Sequence, residues 1–342
     1  MILVRPRAWW FNKVPLSVAL VLLLFDGRPF SLGALAVMTL VVITVCAAAN
    51  YGYALNELFD IEEDARLGRT NAAAGVPSWW MWAIAGASAL CAELCATVVG
   101  GAFGAVLTLL ELCLPLVYSA PPLRFKERKW FGVAADALAA HVYPAILALT
   151  GVAYWTLRPV TSILTVSVVV WAAAAGLRGI LSHQLQTAEQ DRGAGLRTVV
   201  HDLGNQRLEK LVVAVLLPLE VGAFGIALIW SNTGLVLWIF AALYLIYEGF
   251  KTVSGRFLIT AFRSGGQPYV PFVEESFYKA WGPLVLAADA ARVDFVYLVL
   301  VPIYAVLFRP HLQVEMQRFR SVIAALRIKP AKEPCGRSNE ES

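Results

Sequence analysis

Nine long apolar runs most constrain what this chain can fold into: residues 14–30, 31–55, 77–99, 102–121, 132–155, 160–182, 210–230, 234–249 and 292–309. Crossing a bilayer's hydrocarbon takes about 20 apolar residues in helical form. Most of the runs approach that length, and short polar connections separate them. Of the 342 residues, 59% are hydrophobic and only 15% charged, and mean hydropathy is +0.66. One water-soluble core cannot hide that much apolar surface. The expectation is an all-α, multi-pass integral membrane protein of about nine transmembrane helices set in the lipid bilayer. Asp26-Gly27-Arg28-Pro29 and a second long span follow the first run with no small-residue cleavage site, so the first run reads as a retained helix. The net charge of +4 comes from loop residues, which speaks for topology and against nucleic acid. No segment calls for an obligate protein partner.

The loops alternate in charge. Basic residues gather in the amino-terminal arm (Arg5, Arg7, Lys13) and after the second (Arg66, Arg69), fourth (Arg124, Lys126, Arg128, Lys129), sixth (Arg192, Arg197, Arg207, Lys210) and eighth runs (Lys251, Arg256, Arg263). The intervening loops carry only Arg28 and Arg158. The positive-inside rule places the amino terminus and the four basic loops in the cytoplasm. Nine spans would then leave the tail outside, although it holds Arg309, Arg318, Arg320, Arg327, Lys329, Lys332 and Arg337. Either Ser276–Ala291 is an extra membrane-embedded segment, or the tail is tolerated outside. Residues 1–310 read as one transmembrane domain and 311–342 as a polar tail. Within the tail, 311–328 have a weak amphipathic pattern suited to an interface, and 330–342 read as disordered. Ser264–Ala291 reads as a long connection of the kind that forms lids or binding loops. Among five scattered cysteines, Cys91 and Cys95 share a helical face without a His or further Cys nearby, and read as core packing.

Asn56-Glu57-Leu58-Phe59-Asp60-Ile61-Glu62-Glu63-Asp64 closes the second run. Carboxylates at the mouth of a membrane helix are expensive unless they bind something. Asn56, Asp60 and Asp64 stand at i, i+4 and i+8, on one side of a helix. Oxygen-only, carboxylate-rich donors suit a hard cation such as Mg²⁺, whose shell water and substrate phosphates complete. Glu57 stands beside the stripe as support, whereas Glu62 and Glu63 diverge from it. After the fourth run comes Tyr118-Ser119-Ala120-Pro121-Pro122-Leu123-Arg124-Phe125-Lys126. Its prolines end the helix at the membrane surface and put Arg124, Lys126, Arg128 and Lys129 at headgroup level. Arg124 and Lys126 are candidate diphosphate ligands, and Arg128 and Lys129 serve equally well as a topology signal.

The Asn-x-x-x-Asp-x-x-x-Asp stripe and the Tyr-Ser-x-Pro-Pro-x-Arg-x-Lys run resemble the UbiA superfamily of intramembrane prenyltransferases. A third segment, Gln184 to Thr198, resembles that family's second Asp-rich motif: Asp191, Arg192, Gly195 and Thr198 match, but Gln184 and Thr187 stand where the family carries Asp. The resemblance implies a helical bundle around a central cavity, with diphosphate held between two motifs by Mg²⁺. Asn56, Asp60, Asp64, Asp191 and Gln184 become the candidate metal ligands, and Arg124, Lys126, Arg192 and Arg197 the diphosphate ligands. Asp136, below the basic loop, becomes the acceptor contact. Amide and hydroxyl oxygens bind Mg²⁺ weakly, which leaves, beside loss of prenyl transfer altogether, two readings of the depleted motif. Either the first motif carries one ion with help from Arg124, Arg192 and Arg197, or His183, on one stripe with Thr187 and Asp191, acts as a general base. The implied activity is Mg²⁺-dependent transfer of a prenyl group from an allylic prenyl diphosphate to a lipophilic, aromatic acceptor. A terpene cyclase on the same scaffold and a non-enzymatic transporter are the alternatives. Clustering of the motifs on one membrane side, with no pair of broken helices visible, argues against the transporter.

Overall fold

The computed structural model describes residues 4–25, 27–193, 195, 198–231, 233–253, 258–260, 269–271 and 274–327. The fold is all-α apart from two three-residue strands, β1 (Leu258–Thr260) and β2 (Tyr269–Pro271), paired in parallel. Each apolar run becomes helix. The helices are α1 (Pro6–Phe25), α2 (Leu32–Phe59), the short α3 (Ile61–Arg66), α4 (Ser78–Ser119), α5 (Trp130–Ala137), α6 (Tyr143–Thr156), α7 (Ser162–Gly193), α8 (Val199–Leu211), α9 (Leu217–Trp230), α10 (Leu235–Val253), α11 (Gly282–Ala290), α12 (Leu300–Leu307) and α13 (Arg309–Arg327). Among the described residues, five helical stretches alone are long and apolar enough to cross a membrane.

The third and fourth runs lie within α4, divided at Gly100 and Gly101, whose dihedrals leave the helical region. Gly101 has φ +59°, a left-handed conformation that glycine adopts without the Cβ penalty. The halves then pack closely: a Cβ on Gly104 would stand 2.4 Å from the Ala96 carbonyl oxygen.

Three π-helical turns interrupt the bundle, at Leu138–Val142, Val212–Leu216 and Glu274–Trp281. Each ends two residues before a proline, respectively Pro144, Pro218 and Pro283. Proline gives no N–H to the i→i−4 ladder and its ring crowds the carbonyl there, so a local slip of register accommodates it.

The connection expected over Ser264–Ala291 is partly helix; its residues 264–268, 272 and 273 lie outside the described residues. The π turn at Glu274–Trp281 runs into α11, and Phe277, Tyr278, Val285, Leu286 and Ala287 are buried in the main core with residues of α1, α2, α4, α6, α7 and α9. Pro283 falls in the first turn of α11, directly after that π turn. The expected span 292–309 is a 3₁₀ turn (Phe295–Val299) followed by α12, and the chain then bends 82° into α13. The interfacial pattern at 311–328 falls on α13, where Glu315 and Val322 are buried; the expected disorder over 330–342 lies outside the described residues.

Two sets of contacts define the ends of the bundle. At one end the backbone N–H of Phe30 donates to Asp294 (3.1 Å), and that of Gly234 to Asp289 (2.6 Å). At the other, Trp10 stacks on Phe308 and the His311 ring lies 2.8 Å from the Phe11 carbonyl oxygen.

Candidate active site

The first acidic stripe survives a helix break. Asp60 leaves helical geometry between α2 and α3, yet its N–H donates to Asn56 O (3.1 Å) and the Asp64 N–H donates to Asp60 O (2.8 Å). The helical register therefore passes through, and Asp60 and Asp64 are both buried. Asn56 Oδ1 accepts from Ser119 Oγ at 3.5 Å, joining α2 to the end of α4. Asp64 accepts from Asn71 Nδ2 at 2.8 Å.

Asp60 is held by the basic loop. Lys126 donates to its Oδ1, and Arg124 Nη2 approaches the same oxygen at 3.4 Å. Burial pushes the Asp60 carboxyl above its ordinary value, against the pull of Lys126. Arg124 also reaches Glu63 at 2.8 Å, and Lys126 lies 3.9 Å from it. Glu63 thus joins Asp60 under the two cations and does not diverge. Glu57 faces the other way: it is fully buried, pairs with Arg5 and accepts from the Ala72 N–H. It braces the turn after α3 and gives the stripe no support. Arg128 donates to the Pro122 carbonyl (2.8 Å) and Lys129 pairs with Asp202 of α8 (2.5 Å), so these two shape the loop.

The second motif lies on α7. Thr187 Oγ1 donates to Asp191 Oδ2 at 2.8 Å, and Arg69 Nη2 lies 3.9 Å from Asp191 Oδ1. Since Arg69 follows α3, the two acidic motifs face each other across this contact. Gln184 is 8% exposed, and its Oε1 has no hydrogen-bond partner among the described residues. Arg192 is exposed, and Arg197 lies outside the described residues.

Behind the motifs opens a cavity of about 620 Å³. Asn56, Asp136 and His183 line it, with Tyr53, Tyr118 and small residues of α2, α5 and α7. Lys13 and His183 are within electrostatic reach of Asp136. Arg178, also on the wall, is buried in a bidentate pair with Glu220 of α9, at 2.6 and 2.9 Å. Lys13, Lys279 and Glu111 line the cavity too. Helical phase alone does not say which buried charges share one space, so Glu111, Glu220 and Lys279 join the site only through the fold.

Among the described residues no three His, Cys, Asp or Glu side chains converge as a metal site. The donor chemistry nevertheless fits a hard cation, because Asn56, Asp60, Asp64 and Asp191 offer oxygen. The buried, unpartnered Gln184 Oε1 is an acceptor in want of a cation or donor. Lys126 and Arg124 place positive charge at Asp60.

The sequence model of the UbiA prenyltransferase family matches residues 14–256. A lycopene elongase/hydratase of Haloarcula japonica is 28% identical over 253 residues, which are 72% of this chain and 77% of that protein. A UbiA homolog from Archaeoglobus fulgidus bound to DMAPP and Mg²⁺ superposes with a TM-score of 0.56 at 20% identity, covering 87% of this chain and 98% of its own. The apo UbiA homolog from Aeropyrum pernix K1 gives 0.55 at 17% identity, covering 92% and 100%. The family match spans well over half of the sequence and the helical bundle agrees with it: the chain belongs to the UbiA prenyltransferase family.

Proposed function

We propose that the protein transfers a prenyl group from an allylic prenyl diphosphate to a lipophilic acceptor inside the membrane. The observation that carries this reading is the meeting of the two acidic motifs at Arg69 and Asp191, beside a basic loop and a cavity sunk into the bundle. The Archaeoglobus homolog's DMAPP and Mg²⁺ support the donor class. Asn56, Asp60, Asp64, Asp191 and Gln184 would hold Mg²⁺, which when bound neutralises charge on the departing diphosphate. Arg124 and Lys126 move from Asp60 and Glu63 onto phosphate oxygens, and Arg192 and Arg197 complete the anion site. The allylic C–O bond then opens, and the cavity keeps water from the cation. Asp136 contacts the acceptor, and His183 lines the cavity beside the second motif. An aromatic acceptor is the first reading; the Haloarcula relative's name favours a polyene as the second.

The test is release of diphosphate by purified protein from dimethylallyl, geranyl, farnesyl and geranylgeranyl diphosphates, with and without Mg²⁺. Asp60→Ala or Asp64→Ala lowers Mg²⁺-dependent release by about a hundredfold or more, the scale on which charge-stabilising groups act. Full activity in Asp60→Ala would refute the metal assignment. Silence of the wild type toward every donor would refute the function.

A further inference from the structure

A carboxyl group with one oxygen unpartnered among the described residues lies deep in the cavity. Glu111 on α4 is 5% exposed, lines the cavity, and its Oε2 accepts no hydrogen bond from the described residues. Lys13 of α1 and Asp136 of α5 are within electrostatic reach. Beside it Tyr143 of α6 places its hydroxyl 3.1 Å from Thr108 Oγ1. A buried acid with an unpartnered oxygen in an apolar span is costly to keep, which marks it for use.

Its depth matches a particular task. Ser119, bonded to Asn56, marks the level of the first acidic motif. Glu111 precedes it by eight residues on the same helix, which sets it about 12 Å deeper at the α-helical rise. A diphosphate, the allylic carbon and the acceptor carbons next to the new bond span a comparable depth. His183, by contrast, is exposed in the second motif, at the level of the diphosphate.

We propose that Glu111 is the catalytic base that takes the proton from carbon at the end of the transfer, an assignment that rests on the prenyl transfer proposed above. The C–O bond breaks and its electron pair leaves with the diphosphate. A π pair of the acceptor forms the new C–C bond, and positive charge passes to the adjacent acceptor carbon. A neighbouring C–H pair becomes the new π bond, and its proton goes to a Glu111 oxygen. The neutral acid loses that proton to water when the products leave.

The assignment is testable with the donor alone. With geranyl diphosphate, Mg²⁺ and no acceptor, the geranyl cation either loses a methyl proton to give a triene hydrocarbon or captures water to give an alcohol. The readout is the hydrocarbon-to-alcohol ratio per diphosphate released, which a general loss of rate does not move. Glu111→Gln lowers that ratio at least tenfold relative to wild type, and Glu111→Asp, which keeps an acid, recovers part of it. Should the Gln variant not fold, the Asp variant decides, with a ratio at least threefold below wild type. An unchanged ratio in whichever variant folds, a wild type that makes alcohol only, or a ratio that falls in His183→Ala instead, overturns the assignment while leaving prenyl transfer intact. Failure of the wild type to release diphosphate, with or without added lycopene, overturns the function and the assignment together.

Discussion

Lys126 and Arg124 are shared between two carboxylates, the buried Asp60 and the half-buried Glu63, and under the proposed function they would also meet the diphosphate. A diphosphate offers the same cations a denser anion. Lys126→Met should therefore raise the donor's apparent Kd, by about tenfold or more if one charge-assisted hydrogen bond of roughly 1.5–3 kcal/mol is lost. Titration of Mg²⁺ and a non-hydrolysable donor analogue into the purified variant checks this, and an unchanged Kd places Lys126 outside the anion site. Thr187 belongs to the same scale. Its hydroxyl donates to Asp191 (2.8 Å) where the family carries a carboxylate, so Thr187→Asp adds a second anionic oxygen pair beside Asp191. The expected outcome is half-maximal activity at a lower Mg²⁺ concentration, with turnover kept or raised; a higher Mg²⁺ requirement would mean that the motif no longer faces a metal. Spacing along one helix made Asn56, Asp60 and Asp64 legible as a unit, because that geometry is local. The partners of Asp60 were not, since Lys126 lies 66 residues away and only folding brings it near.

Elements position these side chains through a few close approaches. Arg124 is left-handed, with φ +38°, and the loop it opens is clamped from below by α5. A Cβ on Gly132 would stand 2.6 Å from the Phe125 carbonyl oxygen, a backbone atom that cannot swing aside. Gly132→Ala should push the loop off α5 and displace Arg124 and Lys126 together. Donor affinity then falls at least as far as in Lys126→Met, and the thermal midpoint drops by several degrees, on the scale of about 1–3 kcal/mol for overpacking. A variant with wild-type Kd and melting temperature would show the loop to be free of α5. The π turns teach a related point about legibility. Pro144 and Pro218 stand inside apolar runs that read as unbroken spans, and whether proline ends a helix or only slips its register depends on packing beyond the segment. In Glu274–Ala290 the slip won, because Phe277, Tyr278 and Leu286 have a core to enter, so a stretch that read as a loop became part of the bundle.

The packing of the whole molecule bears on the conflict over its tail. Helices alternate between two ends, and the contacts Phe30–Asp294 and Gly234–Asp289 gather the loops after α1, α9 and α11 at one of them. Trp10–Phe308 and Phe11–His311 bring the start of α13 to the other end, beside the amino terminus. An odd number of crossings cannot do this; counting Glu274–Ala290 as a crossing makes the number even. The basic residues Arg309, Arg318 and Arg320 then share a side with Arg5, Arg124 and Arg192, as the positive-inside rule requires. The sequence posed the conflict through its charges and named Ser276–Ala291 as one way out, but periodicity alone did not select it, because that segment's charged start and Gly-Pro pair hide its apolar face. Thr70, Arg158 and Gln317 are all exposed. With Cys46, Cys91, Cys95, Cys113 and Cys335 replaced by Ser, single cysteines at these three positions should separate into two classes toward a membrane-impermeant maleimide in sealed vesicles of known orientation. Thr70→Cys and Gln317→Cys react from the cytoplasmic side and Arg158→Cys from the opposite side. If Gln317→Cys instead reacts together with Arg158→Cys, then Glu274–Ala290 does not cross and the acidic motifs and the tail lie on opposite sides of the bilayer.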